Sequence, residues 1–213
     1  MALLPLDPDQ LLSTTRAVRK RLDFTLPVPK ELIRECVAMA LQAPSGSNVV
    51  TMQFVIITDE SKRHALGQIY GEVYENYKKS SAYPGARGSS DPAAAAVDAR
   101  VASSADYLGD HMGDAPVLVL VCNSGRDRRS AVGAMGNVLP AAWSFMLAAR
   151  ARGLGTAWTQ MHLSREKEVG DILDIPYDTV AQAVLTPLAY TIGTDFKPAG
   201  RDDPESVIHW NGW

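Results

Sequence analysis

Residues 116–123 read PVLVLVCN, an apolar run from Val117 to Cys122 with no polar alternation. Such a run, rich in β-branched residues, reads as a buried strand. QFVIITD (53–59) and QAVLTPLAYTIG (182–193) have the same character, and GLGTAWTQ (153–160) reads as a glycine-assisted entry into a further strand. Helical patterns lie between these runs. In LPVPKELIRECVAMALQA (26–43), Leu32, Ile33, Cys36, Val37, Ala40 and Leu41 form one stripe. Pro29 suits the first turn of that helix, and Pro44 stops it because the residue before a proline avoids the α region. ESKRHALGQIYGEVYENYKK (60–79) is helical, and residues 133–152 form a long apolar helix in which Pro140 marks a kink or the true start. SREKEVGDILDIP (164–176) is a short amphipathic helix with Ser164 as candidate N-cap. Residues 11–22 read as a helix with a strongly basic end. Residues 80–98 lack periodicity and are rich in Gly, Pro, Ser and Ala. They read as a long mobile loop, partly helical at its alanines, and such loops are usually functional or disordered. The last twenty residues read as an extended tail.

The order of elements lacks the regular alternation of a doubly wound sheet, so an α+β architecture is expected. There is no internal repeat and no clear linker, so residues 1–213 read as one domain. The chain has 46% apolar and 21% charged residues and a formal charge of −3, which gives no electrostatic case for nucleic acid or an anionic membrane. No apolar run approaches the ~18–20 residues of a membrane span. The opening MALLPLDPDQ has neither a basic region nor a long apolar region, so it does not read as a secretory signal. The two cysteines, Cys36 and Cys122, sit in apolar runs and are expected as buried free thiols in a cytoplasmic protein.

Common catalytic signatures are missing from the sequence. GLG (153–155) has no third glycine at dinucleotide spacing, no Walker A or GxSxG segment occurs, and no Cys or His spacing fits a metal. An enzyme with this sequence would leave its chemistry to a bound organic cofactor. Three polar segments remain. Arg16, Arg19, Lys20 and Arg21 are a solvated helix face or an anion site, with Arg16 and Arg19 on one face if helical. PSGSN (44–48) is a plain turn, or a cradle in which Ser45, Ser47 and Asn48 supply short polar groups and Gly46 admits a flat ligand. Lys197 and Arg201 are ordinary solvated charges or further anion ligands. Taken together, the three look like the parts of one flavin mononucleotide (FMN) site.

The whole chain then resembles the FMN-dependent nitroreductase family. TTRAVRKRLDFTLPVPKELI (14–33) is similar to that family's RRSVR opening and PVP helix start, and ALQAPSGSN (40–48) to its A-P-S-x-x-N segment. PAAWSFMLAARARGLGTAW (140–158) is similar to its long central helix and following strand, and the stretch from Leu185 to Trp210 to its last strand and basic tail. The resemblance implies an α+β sandwich with a central, mostly antiparallel sheet flanked by helices. It also implies an intertwined homodimer whose FMN sites draw on both chains. Arg16, Ala17 and Arg19 would form the opening motif, with Arg19 by flavin N1 and O2, where a cation stabilises reduced flavin. Arg201, joined by Arg16, would pair with the FMN phosphate. Pro44, Ser45, Gly46, Ser47 and Asn48 would reach the ring from the partner. Thr159, Gln160, Met161 and His162 would pass near N5, and His111 would touch the pyrimidine edge. The segment 80–110 would cover the pocket.

The implied reaction is ping-pong hydride transfer from NADH or NADPH to a small oxidised acceptor such as a nitroaromatic, quinone or activated alkene. No side-chain acid or base is needed. Some positions depart from the family pattern: Thr15 and Ala17 replace an Arg and a Ser, and Val50–Thr51–Met52 stands where Q-P-W is usual. These departures leave room for a low-turnover flavin-binding or sensing protein. A basic helix that binds an anionic partner is the reading without the resemblance.

Overall fold

The computed structural model describes residues 3–124 and 131–213. Among these residues, helices α1 (Pro8–Thr14), α2 (Lys30–Ala40), α3 (Glu60–Lys78), α4 (Pro92–His111), α5 (Ala131–Ala151) and α6 (Glu166–Leu173) flank five strands. These are β1 (Leu22–Asp23), β2 (Met52–Ile57), β3 (Val117–Ser124), β4 (Leu154–Thr156) and β5 (Val180–Thr191). The sheet runs β1-β5-β3-β2, with β4 also paired to β5, and every ladder is antiparallel. This is the expected α+β arrangement.

The apolar run of β3 is buried on both faces. Val117, Val119 and Val121 pack with Leu32, Ile33 and Cys36 of α2 and Val138 and Phe145 of α5. Leu118, Leu120 and Cys122 pack on the other face with Leu66 and Ile69 of α3, Leu108 of α4 and Val169 of α6. Side chains alternate across a strand, so a strand covered on both faces has no polar positions. Both cysteines are free and buried, one in each layer, and burial pushes their thiols up to about 11 for Cys36 and about 12 for Cys122. α3 meets the short 3-10 turn Met112–Asp114 backbone to backbone: a Cβ on Gly67 would lie 2.6 Å from the Gly113 nitrogen.

Several local expectations change. The helix expected over 11–22 ends at Thr14. The Thr14 and Thr15 hydroxyls donate to the Gln10 and Leu11 carbonyls, each at 2.6 Å, and Thr15 is already extended. Such back-bonding competes with helix continuation, and the following backbone joins the sheet instead, with Val18 N donating to the Thr156 carbonyl at 2.8 Å. Arg16 and Arg19 therefore do not share a helical face. The apolar helix α5 passes through Pro140. Ser164 does not cap α6: its hydroxyl donates to the Met161 carbonyl, within a 3-10 turn that leads into the helix. Within residues 80–98, α4 starts at Pro92 under an Asp91 cap and takes in the alanines expected to be partly helical. Beyond β5, residues 194–213 carry one short turn at Pro204–Val207 and otherwise neither helix nor strand.

Candidate cofactor site

Arg16 follows directly on the extended Thr15, and Arg201 lies in the tail. They come together in a cleft of about 330 Å³ that is also lined by Leu12, Ser13, Thr15, Trp143, Pro198 and Ala199. The lining contains two guanidinium groups and no carboxylate. Arg16 Nη1 donates to the Lys197 carbonyl at 2.9 Å, which holds the tail against the end of α1. Arg201 Nη1 donates to the Gly200 carbonyl at 2.9 Å. A larger cleft of about 370 Å³ lies at the start of α6, but its Arg165 is already bonded to Glu168 and Glu72. The first cleft is the better place for an anion, because its cations are not neutralised from within.

The other basic residues diverge. Arg21 pairs with Asp195 at 2.6 Å. Lys20 Nζ donates to Ser103 Oγ of α4 at 2.7 Å. Arg19 is half-buried and forms no ion pair among the described residues. Its charge acts on the Tyr70 hydroxyl, which burial pushes up to about 12 and Arg19 pulls back. Ala17 bridges Thr156 of β4, and Thr156 pairs with Leu188 of β5.

Thr159–His162 follows β4, bridging β5 at Leu185 and then entering the 3-10 turn Met161–Arg165. The Thr159 amide and hydroxyl both donate to the Leu185 carbonyl, at 3.1 and 2.6 Å, and Gln160 Nε2 donates to the Ala183 carbonyl at 3.2 Å. Met161 is half-buried. The His162 ring is buried with neither nitrogen hydrogen-bonded, and burial pulls its pKa down to about 4, so it is neutral at physiological pH. The opening segment is thus joined to Thr156 at the end of β4, and Thr159 to Leu185 of β5.

Pro44–Asn48 lies elsewhere. It leads into Thr51, whose carbonyl accepts from Ser124 N at 2.8 Å at the far end of β3. The Arg16–Arg19 segment attaches, through Thr156 and Leu188, at the Val117 end. The eight residues of β3 separate these ends by roughly 23 Å at strand rise. Gly46 N donates to Asn137 Oδ1 of α5 at 2.8 Å. Ser47 and Asn48 both have positive φ, 56° and 55°, and both are exposed. His111 closes α4, 2.7 Å from Asp114 and tilted against Tyr107 with ring centroids 4.4 Å apart, and it does not line the arginine cleft. The structure therefore joins Arg16 with Arg201 and ties the opening segment to Thr156, three residues before Thr159. Within one chain, Pro44–Asn48 lies at the other end of β3, and neither it nor His111 lines the arginine cleft.

Ser13 and Trp143 line the cleft but were not singled out in the sequence. Trp143, 37% exposed, sits in an apolar helix where an aromatic residue reads as core.

Several solved structures share this fold. Oxidised iodotyrosine deiodinase bound to FMN and 3-iodo-L-tyrosine aligns with a TM-score of 0.71 at 20% identity, covering 95% of this chain and 98% of that one. An FMN-dependent nitroreductase from Clostridium difficile gives 0.66 at 19% identity, covering 95% and 98%. The NADPH:FMN oxidoreductase from Vibrio harveyi, complexed with NAD+, gives 0.68 at 17% identity, covering 96% and 77%. No curated protein matches the chain. Residues 12–190, which include β1 to β4, all but the last residue of β5 and the whole of the opening arginine segment, match the profile described as Nitroreductase family, and the chain belongs to that family.

Proposed function

We propose that this chain is an FMN-dependent oxidoreductase that passes hydride from NADH or NADPH to a small oxidised acceptor. The observation that carries the reading is the meeting of Arg16 and Arg201 in a cleft without a carboxylate. That donor set fits a phosphate monoester. A flavin bound there would supply the hydride chemistry, accepting from the nicotinamide and giving to the acceptor in separate half-reactions. The chain's own residues bind, orient and shield. Arg16 and Arg201 would hold the phosphate. Arg19, without an ion-pair partner among the described residues, keeps its charge available for an anionic ring edge. The 159–162 backbone would border the ring. Lys20 to Ser103, and Phe24 stacked on Tyr107 at 6.4 Å, bring α4 over the Arg19 turn. This supports the 80–110 segment as the cover of the pocket.

The ring-side cradle Pro44–Asn48 would come from a second copy, completing two sites per homodimer. Beside it, Met39, Leu41, Val49 and Val50 expose apolar surface, Val50 at 57%. An apolar patch next to an exposed polar loop suits a protein interface. None of the described helices is long and apolar enough to cross a membrane. The free thiols suit the reducing cytoplasm, where we place the protein.

The test is an absorbance spectrum of the purified protein, followed by anaerobic titration with NADH and NADPH and then with a nitroaromatic, a quinone and an activated alkene. A flavin spectrum bleached by one nicotinamide and restored by an acceptor is expected. A yellow protein that neither nicotinamide bleaches would favour a storage or sensing role, and a colourless protein that takes up no FMN would reject the reading.

A further inference from the structure

Arg150, near the end of α5, is only 4% exposed and has no ion pair among the described residues. Its Nη2 donates to the Thr194 carbonyl at 2.9 Å and lies 3.3 Å from Thr14 Oγ1. Nε and Nη1 are buried without a hydrogen-bond partner. Its guanidinium sits 4.8 Å from the centroid of Phe196, and the Arg21 guanidinium sits 4.2 Å from the same ring. Arg21 is itself fastened to the Ile192 carbonyl at 2.8 Å and to Asp195.

This is an expensive arrangement for stability alone. A desolvated guanidinium with two orphan donors is unfavourable, and so are two like charges on one ring. Burial and the Arg21 charge both pull the Arg150 pKa down. Cation–π attraction offsets part of this. The contacts do achieve one geometric result. They tie the last turn of α1, through Thr14, to the root of the tail at Thr194–Phe196. Arg16 begins just beyond the first anchor, and Lys197, whose carbonyl holds Arg16, directly follows the second. Both cationic walls of the cleft are thus set from one fastening.

We propose that Arg150 and Phe196 form a strap that positions Arg16 and Arg201 for the phosphate end of the ligand, without touching that ligand. The strap rests on the cofactor reading above. It acts on the phosphate and not on the ring, so its loss should be visible as a change in the preference for FMN over riboflavin, which lacks the phosphate. Phe196 is half-exposed at the tail root and only borders the Val18, Leu22 and Ala189 cluster, so a conservative replacement there keeps the test open even if Arg150→Met fails to fold.

The experiment measures FMN and riboflavin affinity of the apoprotein by fluorescence quenching for wild type, Arg150→Met, Phe196→Leu and Phe196→Tyr. In Arg150→Met and Phe196→Leu, FMN binding should weaken by about tenfold while riboflavin binding stays within about twofold, the loss expected when a charge-assisted contact is mispositioned. Phe196→Tyr keeps an aromatic face and should bind FMN like wild type. A wild-type preference for FMN that survives undiminished in both Arg150→Met and Phe196→Leu overturns the strap alone. Equal wild-type affinity for FMN and riboflavin overturns the phosphate placement and the strap together.

Discussion

Arg201 and Arg19 are both cations without a carboxylate partner among the described residues, yet they should fail differently when removed. Arg201 is exposed and, among the described residues, bonds only the adjacent Gly200 carbonyl, so Arg201→Ala should move fold stability by no more than about 0.5 kcal/mol. It should nevertheless leave much of the purified protein without flavin, as read by the flavin-to-protein absorbance ratio. Arg19→Ala should slow reduction by nicotinamide more than it weakens FMN binding. Stopped-flow rates that match wild type would remove Arg19 from the ring. His162 makes a separate, acid-side prediction. Its folded pKa is held near 4, below the ordinary 6.5, so the native ring resists protonation while the unfolded ring does not. The stability it confers is complete above pH 6.5 and drains away as the pH falls towards 4, by about 3 kcal/mol in all. His162→Phe should flatten that limb when urea midpoints are compared at pH 7.5 and 4.5. At this scale the sequence was half legible. Arg16 and Arg201 stood out by charge. Arg150 did not, because an arginine near a helix end ordinarily reads as solvated, and only tertiary packing buries it.

The elements were clearest where burial leaves a strong pattern. Val117–Cys122 is apolar at every position because helices cover both faces of β3, and that continuity reads directly as a buried strand. Two other elements are governed by weaker signals. The end of α1 depends on two threonine hydroxyls bonding backward, where periodicity alone continues the helix through the arginines. α4 is rich in alanine and serine and lacks a clean apolar stripe. It is held partly by Asp106, which accepts from the Tyr74 and Tyr83 hydroxyls at 3.0 and 2.9 Å. The join between α3 and the 112–114 turn is set by glycine. Gly67→Ala would place a methyl 2.6 Å from the Gly113 nitrogen, too close to backbone for a side-chain adjustment to relieve. A loss of about 1–3 kcal/mol is expected, with faster amide exchange at Met112–Asp114 as its local sign. Unchanged denaturant midpoints would mean that the two backbones separate freely.

On the scale of the molecule, β3 keeps Pro44–Asn48 and Arg16–Arg19 at opposite ends, so one chain does not assemble the proposed site. The sequence motifs gave both halves, but their separation depends on strand register and appears only in three dimensions. If the halves meet across a two-fold axis, an Arg19→Ala chain and an Asn48→Ala chain should rescue each other when mixed. Random reassortment makes half the dimers mixed, each with one intact site, so activity should recover to about a quarter of wild type. Recovery no better than the parents would place both residues in one chain's site. The two buried thiols have a consequence of their own. With thiol pKa values of about 11 and 12, the thiolate fraction at neutral pH is roughly one in ten thousand or less. A reduced flavin that leaks electrons to oxygen makes peroxide beside its own protein, and peroxide attacks thiolates. Here the sulfur atoms of Cys36 and Cys122 are both out of reach and in the unreactive form, so the scaffold is built to outlast the by-product of the chemistry proposed for it.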